Sequence, residues 1–380
     1  MTDLSYLMER GGLGAAGELL RGGQPVTVAY LGGSITQAGT EDGVPGSSYR
    51  NRTTAWLRET FPAANIREIN AGIGGTGSDL GAFRLERNVL QYRPDLIFIE
   101  FAVNDGGMPD ELVLRSVEGI IRHALREANP PGLCLLYTLN QIHLPEYQQG
   151  QLPRTVRLHE QVAERYGVPS INVALPVARQ LIAGALRWDE FSGDTCHPTE
   201  GGHGLYGKTI ADSLTALFAI TPSAAGKQAS ELPPSLIGRP VEAGQMVSMS
   251  PDYAPEGWAY RPLENRGGWQ CFDGVLESNQ PGAEAEFAFE GPTIGLFYSL
   301  GPETGDMRMA IDDQPWQPLR IWDEYAECFW RPHYRILADD LGPGPHRLCI
   351  QVAEDAAPQS QGRWTRLAYL LCEGKQGKGD

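Results

Sequence analysis

Lysine is almost missing from this chain. Among 380 residues only Lys208, Lys227, Lys375 and Lys378 occur, and two of these sit in the polar tail. The remaining basic residues are arginines scattered among acids, and the formal net charge is −16. Without a basic patch, neither nucleic acid nor an anionic membrane surface is a fitting partner. Long apolar runs are missing too: no stretch of about 18 apolar residues is present, so no membrane-spanning helix is expected. The first 24 residues carry acids and no apolar h-region, which reads as a chain without a secretory signal. Cysteine is sparse and dispersed (Cys134, Cys196, Cys271, Cys328, Cys349, Cys372), and no CxxC pair suggests a zinc ribbon or a thioredoxin-like motif. Reduced thiols, several of them in the core, and a cytoplasmic location are expected. His143 and His159 have no partner at metal-ligand spacing, so no metal and no cofactor are expected.

What is present first is alternation. Val26–Leu31 is a short apolar run between Pro25 and Gly32-Gly33, which predicts a buried strand. Residues 65–70, 95–101, 133–138 and 170–173 predict further strands. Between them Tyr49, Thr53, Trp56 and Leu57 fall at helical spacing, as do Val113, Val117, Ile120 and Ile121, and Ile210, Leu214, Leu217 and Phe218. Apolar strands alternating with helices define a flavodoxin-like three-layer α/β/α domain with a parallel sheet, over residues 1–220. Residues 221–240 are rich in Pro, Ser, Ala and Gly and read as a linker. From 241 to 374 the period becomes two, as in residues 285–289, 294–298, 307–311 and 346–352, with turn residues between the runs. That pattern predicts an antiparallel, jelly-roll-like β-sandwich, and residues 375–380 read as a disordered tail.

In a doubly wound sheet, ligands bind outside the carboxyl ends of the strands. The residues there are Gly32-Gly33-Ser34-Ile35-Thr36 after the first strand and Asn70-Ala71-Gly72-Ile73-Gly74-Gly75-Thr76-Gly77 after the second. Val103-Asn104-Asp105 follows the third, and Asp194-Thr195-Cys196-His197-Pro198 precedes the last helix. A hydroxyl, bare glycine backbone, an amide and an Asp/His pair on one sheet edge suit acyl transfer. Ser34 would be the nucleophile, His197 its general base and Asp194 the group that orients the imidazole. The Ser34 and Gly75 amides and the Asn104 side chain would supply oxyanion donors. Singly, each block has a plainer reading. GGS is often a turn, NAGIGGTG resembles a dinucleotide loop, Asn104-Asp105 suits a turn, and the Asp/His block suits a helix cap. A phosphate loop is disfavoured because the glycine run follows the second strand and no Lys-Ser/Thr pair closes it.

The blocks GGSIT, NAGIGGTGSD, VND and DTCHP together resemble the four signature blocks of SGNH/GDSL hydrolases, over about the first 220 residues. The resemblance implies an ester hydrolase with Ser34, Asp194 and His197 as its triad and with Gly75 and Asn104 as oxyanion donors. One departure is that the usual Gly-Asp-Ser of the first block is Gly32-Gly33-Ser34 here. Similar GGSIT-type members include carbohydrate acetylesterases with an accessory sandwich, such as carbohydrate esterase family two, where the sandwich precedes the catalytic domain rather than following it. A small-molecule or oligosaccharide acyl ester, acetylated above all, is the expected substrate. Acyl transfer and a non-catalytic carbohydrate-binding scaffold stay open as alternatives, and a homo-oligomer is permitted.

Among lesser candidates, Trp188 could wall the site or fill the core. Cys196 reads as a packing residue, and His203 as part of the packing or capping of the last helix. Trp258, Trp269, Trp316, Trp322, Trp330 and Trp364 read mostly as sandwich core. The run 321–330 is the best candidate for an exposed aromatic surface, with Trp322 and Trp330 as substrate-binding residues.

Overall fold

Strands β1 (Leu7–Met8), β2 (Val26–Gly32), β3 (Ile66–Gly72), β4 (Leu96–Glu100), β5 (Gly132–Leu136) and β6 (Ser170–Ile171) form one sheet in the order β1-β6-β5-β4-β2-β3. All its pairings are parallel except that of β1 with β6. This computed structural model describes residues 5–38, 48–220, 232–263 and 271–374, and the chain divides into two units, Met1–Glu242 and Ala243–Asp380.

Ten helices are assigned among the described residues of the first unit: α1 (Ala16–Arg21), α2 (Ser34–Gln37), α3 (Tyr49–Thr60), α4 (Ser78–Asn88), α5 (Asp110–Leu125), α6 (Leu144–Gln148), α7 (Arg154–Tyr166), α8 (Ala174–Ile182), α9 (Trp188–Phe191) and α10 (Glu200–Leu217). Their ends follow from local chemistry. Ser48 and Thr199 cap α3 and α10 by accepting the Asn51 and Gly202 amides. Gly167, at φ 65°, ends α7 in the left-handed conformation. Helices α3 and α10 pack together, and α4, α5 and α7 form a second layer. Val28 and Tyr30 of β2, Phe98 of β4 and Leu136 of β5 fill one core with Tyr206 and Ile210 of α10. The alternate residues Ala29, Leu31, Ile97, Ile99 and Leu135 are equally buried on the other face. Both faces are therefore covered, as the expected three-layer arrangement requires. The two-residue edge strand β1 was not expected.

The stretch 221–240 is not a spacer throughout. Residues 221–231 lie outside the described residues, as does the 375–380 tail. Residues 232–242, however, run as a strap over α5 and α7. Glu118, buried on α5, accepts hydrogen bonds from the Tyr166 hydroxyl at 2.6 Å and the Leu236 amide at 2.7 Å. Arg122 donates to Pro233 O at 2.8 Å and to Glu242 at 2.6 Å, and Arg165 donates to Pro234 O. Proline-rich composition mimicked a linker because prolines leave carbonyls free, and here the arginines of α5 and α7 take those carbonyls.

The second unit holds β7 (Gly244–Ser248), β8 (Ala259–Pro262), β9 (Gly274–Ser278), β10 (Glu284–Glu290), β11 (Ile294–Leu300), β12 (Met307–Ile311), β13 (Gln317–Leu319), β14 (Arg331–Ala338), β15 (Pro345–Val352) and β16 (Thr365–Glu373). One antiparallel sheet has the order β10-β15-β12-β13 and the other β14-β11-β16-β9-β8, with β7 also pairing β16. Phe287, Phe289, Leu348 and Ile350 of the first sheet share a core with Leu296, Tyr298, Leu300 and Leu370 of the second, an antiparallel sandwich. The four runs of period two are β10, β11, β12 and β15. The central β16 is buried on both faces and its sequence TRLAYLLCE does not alternate; β11 is buried on both faces as well, yet was read as a strand.

Candidate active site

Ser34 opens α2 directly after β2, and the two glycines before it are needed for space. A Cβ on Gly32 would collide with Thr36 and the end of β4, and one on Gly33 would run into the Asn104 side chain. At the position where Gly-Asp-Ser is usual, Gly33 therefore lies against the Asn104 side chain in this chain. A Cβ on Gly74 would come 3.6 Å from Ser34 Cβ, so the glycine run borders the same serine. Gly74 gives its amide to Gln37 Oε1 at 2.6 Å, and Gly75 takes φ 71°, which favours glycine. Among the described residues, the Ser34 and Gly75 amides and the Asn104 side-chain amide have no hydrogen-bond acceptor.

His197 Nε2 lies 2.7 Å from Ser34 Oγ, and its Nδ1 lies 2.6 Å from Asp194 Oδ2. The other Asp194 oxygen accepts the amides of Cys196 and His197, each at 2.8 Å. This turn fixes the carboxylate relative to the ring it faces. Trp188 donates its indole N–H to Asp194 O at 2.6 Å and packs edge-on against Phe191. Its polar edge is therefore spent on holding the Asp194 loop. Ser192 Oγ bonds His197 O at 2.7 Å, and Ser192 pairs with Pro198, closing the loop at its base.

The electrostatics follow these contacts. The Cys196 sulfur, 3.8 Å from His197 Nδ1, and the Asp194 carboxylate outweigh partial burial and push His197 up to about 9. Burial would raise the Asp194 carboxyl, but the Cys196 and His197 amides and the His197 ring hold it down at about 2. Cys196 is half-buried beside the imidazole rather than in the core. It was expected as a packing residue. Its thiol faces the ring because the turn that brings two successive amides to Asp194 puts residue 196 next to Nδ1. His203 is buried, accepts the Tyr49 amide at 3.2 Å and is lowered to about 4 by burial and then by the Arg52 charge. It serves packing.

Two contributors were given no role by the motif reading, although Asp105 lies in its VND block. Asp105, one residue past Asn104, accepts the Ser78 amide on one oxygen and meets His159 on the other. Arg84 on α4, fully buried, donates to Ala71 O and Gly32 O, at the ends of the strands that carry the serine and glycine loops. A charged residue inside an apolar helical face was the available signal for Arg84. Possible metal-ligand sets among the described residues are Asp194/Cys196/His197 and Glu86/His123/Glu127. The first is already occupied by the hydrogen bonds above.

Of the aromatic candidates in the second unit, Trp322 packs against the sandwich core, and Trp330 lies under the Arg366 guanidinium at 4.4 Å. The exposed rings of that segment are instead Tyr325 and Phe329. The alternation of the short segment with a turn of helix at Glu324–Glu327 turns these two outward and the tryptophans inward. Trp269 lies outside the described residues.

The Ser34 turn at a strand end, a glycine loop after the next strand and an Asp-x-x-His loop before the last helix thus meet beside the parallel sheet. Residues 30–205 match the GDSL-like Lipase/Acylhydrolase family. That match falls within the first unit and spans less than half of the chain, and the chain is a carboxylic ester hydrolase. An acetylxylan esterase of Geobacillus stearothermophilus is 27% identical over 199 residues, covering 46% of this chain and 87% of the relative. A two-domain esterase (CEX) active on acetylated mannans, co-crystallized with mannopentaose, has the same fold over 100% of both chains, with TM-score 0.82 and 20% identity. A second structure of that esterase gives TM-score 0.81 and 21% identity over 97% of this chain and 99% of the other. No helix among the described residues is long and apolar enough to cross a membrane.

Proposed function

We propose that this protein is a serine acetylesterase that removes acetyl groups from carbohydrate hydroxyls through an acyl-enzyme on Ser34. The observation that carries this reading is the unbroken hydrogen-bond chain Ser34–His197–Asp194 beside three uncommitted N–H donors. As Ser34 Oγ bonds to the acetyl carbonyl carbon, its proton passes to His197 Nε2, and Asp194 stabilises the imidazolium through Nδ1. The carbonyl oxygen becomes an oxyanion, received by the Ser34 and Gly75 amides and the Asn104 side chain. Collapse breaks the bond to the sugar oxygen, which takes the proton from His197 and leaves as the alcohol. Water, deprotonated by the same imidazole, then attacks acetyl-Ser34, releasing acetate and restoring the serine.

The substrate class follows from the named relatives, which act on acetylated xylan or mannan, and from the lack, in the sequence around the site blocks, of a long apolar helix or loop that could shelter an acyl chain. The exposed Tyr325 and Phe329 rings are what the sandwich segment offers a sugar face. The test is acetate release from acetylated xylo- and manno-oligosaccharides and from an aryl acetate. Wild type should release acetate from all three, Ser34→Ala from none, and a serine-directed organophosphonate should label Ser34. Turnover by Ser34→Ala, or a preference for acyl chains of about eight carbons, each CH₂ adding ~0.8 kcal/mol when buried, would reject the assignment. Transfer to a second alcohol would use the same acyl-enzyme and would appear in that assay as a transesterified product.

A further inference from the structure

Glu100 ends β4 with its carboxylate fully buried, and the chemistry above does not use it. Its Oε2 accepts the Thr36 hydroxyl at 2.9 Å, its Oε1 accepts the Thr138 hydroxyl at 2.8 Å, and the Gly33 amide donates to the same carboxylate. Thr36 also shares a 2.7 Å hydrogen bond with the buried Tyr49 hydroxyl. Among the described residues, none of the named partners is a cation. Burial pushes the Glu100 carboxyl up to about 7, against the pull of Thr138, Thr36 and the Gly33 amide.

An acid placed there is expensive in free energy, because neutral donors alone offset its desolvation. An apolar side chain with a valine at 36 and at 138 would fill the same space without that cost. Stability therefore does not account for it, whereas its partners point elsewhere. Gly33 is the N-cap of α2 and Thr36 its third residue, so the two bracket Ser34. Thr138 follows β5, so the same carboxylate also anchors the turn to the neighbouring strand.

We propose that Glu100 is the positioning residue of the nucleophile turn: by drawing the Gly33 amide and the Thr36 hydroxyl inward, it leaves the intervening Ser34 amide and hydroxyl aimed outward at the substrate carbonyl. The proposal rests on the reading of Ser34 as nucleophile. It also explains why the nucleophile can sit on a helix of only four residues, which has too little backbone pairing to hold its own orientation.

The test compares three variants of the full chain, Glu100→Gln, Thr36→Val and Thr138→Val, on an aryl acetate. Thr36 and Thr138 each give one hydroxyl to the same carboxylate, but only Thr36 belongs to the Ser34 turn. Glu100→Gln and Thr36→Val should lower kcat on the order of 10- to 100-fold, the effect of a slightly misaimed reacting group. Their KM should stay within about twofold, since ground-state binding is untouched. Phosphonylation of Ser34 by an organophosphonate should slow by the same factor as kcat. Thr138→Val should lose thermal stability, though less than Thr36→Val, which also strips the buried Tyr49 hydroxyl of its partner, and should keep its kcat within about threefold of wild type. Losses of kcat at 36 and 138 that both simply scale with the loss of Tm would overturn the proposal in favour of a structural carboxylate. So would wild-type kinetics in Glu100→Gln. If wild type itself is neither labelled at Ser34 nor active, the reading of the nucleophile fails, and this proposal fails with it.

Discussion

Asp105 and His159 form a 2.8 Å hydrogen bond, Oδ2 to Nε2, between two fully buried side chains. Because the other Asp105 oxygen takes the Ser78 amide at 2.8 Å, this one residue ties three segments together: the Asn104 loop, the start of α4 behind the glycine run, and α7. Removing the imidazole leaves a buried acid short of a donor. His159→Ala should therefore destabilise by about 3–5 kcal/mol, and kcat should fall with little change in KM as Asn104 loosens. Thermal unfolding and steady-state kinetics of the variant check both. A Tm unchanged from wild type would mean that α7 holds the loop through Arg154 and Thr155 alone, which bond the carbonyls of Gly106, Met108 and Ala102.

The pH dependence should be displaced upward. Only neutral imidazole accepts the Ser34 proton, and His197 is raised from its usual 6.5 to about 9 by the Cys196 sulfur and the Asp194 carboxylate. The kcat/KM limb should accordingly rise with pH through a midpoint above 6.5 and towards 9. Cys196→Ala removes one of the two groups that hold the proton, so its midpoint should move to lower pH. A midpoint identical to wild type would assign the whole displacement to Asp194.

Asn104 and Gly33 should behave as one element. Asn104→Ala removes the proposed oxyanion donor, a loss typically worth about 2.7–4 kcal/mol in kcat. Gly33→Ala puts a methyl group into the space of the Asn104 side chain and should cost a similar factor by displacing the donor. The double variant should then be scarcely worse than either single one, since the second change finds the interaction already lost. Additive losses would separate the two residues and weaken the oxyanion role of Asn104.

Ser34, the glycine loop and Asn104 were legible because each follows a strand that the apolar pattern marks, and strand ends converge on one edge of a parallel sheet. Asp194 and His197 follow no strand and were legible from their spacing in the loop before the last helix, which brings them to Ser34. The roles of Glu100, Arg84 and Asp105 were not legible. Glu100 and Arg84 are charged groups in otherwise apolar stretches, which periodicity treats as interruptions, and Asp105 stands in the VND block, but the partners that give each its role come from other parts of the chain. In the sandwich, strands with one dry face, such as β10, alternate and are readable, whereas β16 has two dry faces and does not alternate. Exposure within residues 321–330 was misread in detail because composition reports aromatic rings without saying that Arg366 covers Trp330.

The strap over α5 makes an unusual demand on Gly119. In mid-helix, Gly→Ala ordinarily gains about 1 kcal/mol, because glycine has the greater freedom to lose on folding. Here the backbone of Val241 lies where the methyl group would go, and the Val241 amide is itself bonded to Arg115 O at 3.1 Å. The strap cannot shift alone, since Leu236 and Arg239 are also fastened to α5, through Glu118 and the Arg115 side chain. Overpacking of this kind costs about 1–3 kcal/mol, more than the helix gains. Gly119→Ala should therefore lower the Tm of the first unit, by roughly 2–4 °C for each kcal/mol of net loss in a domain of this size. The sign is the test, read by calorimetry on the full chain. A raised Tm would mean that residues 232–242 are easily displaced and that the expectation of a free linker holds for them after all.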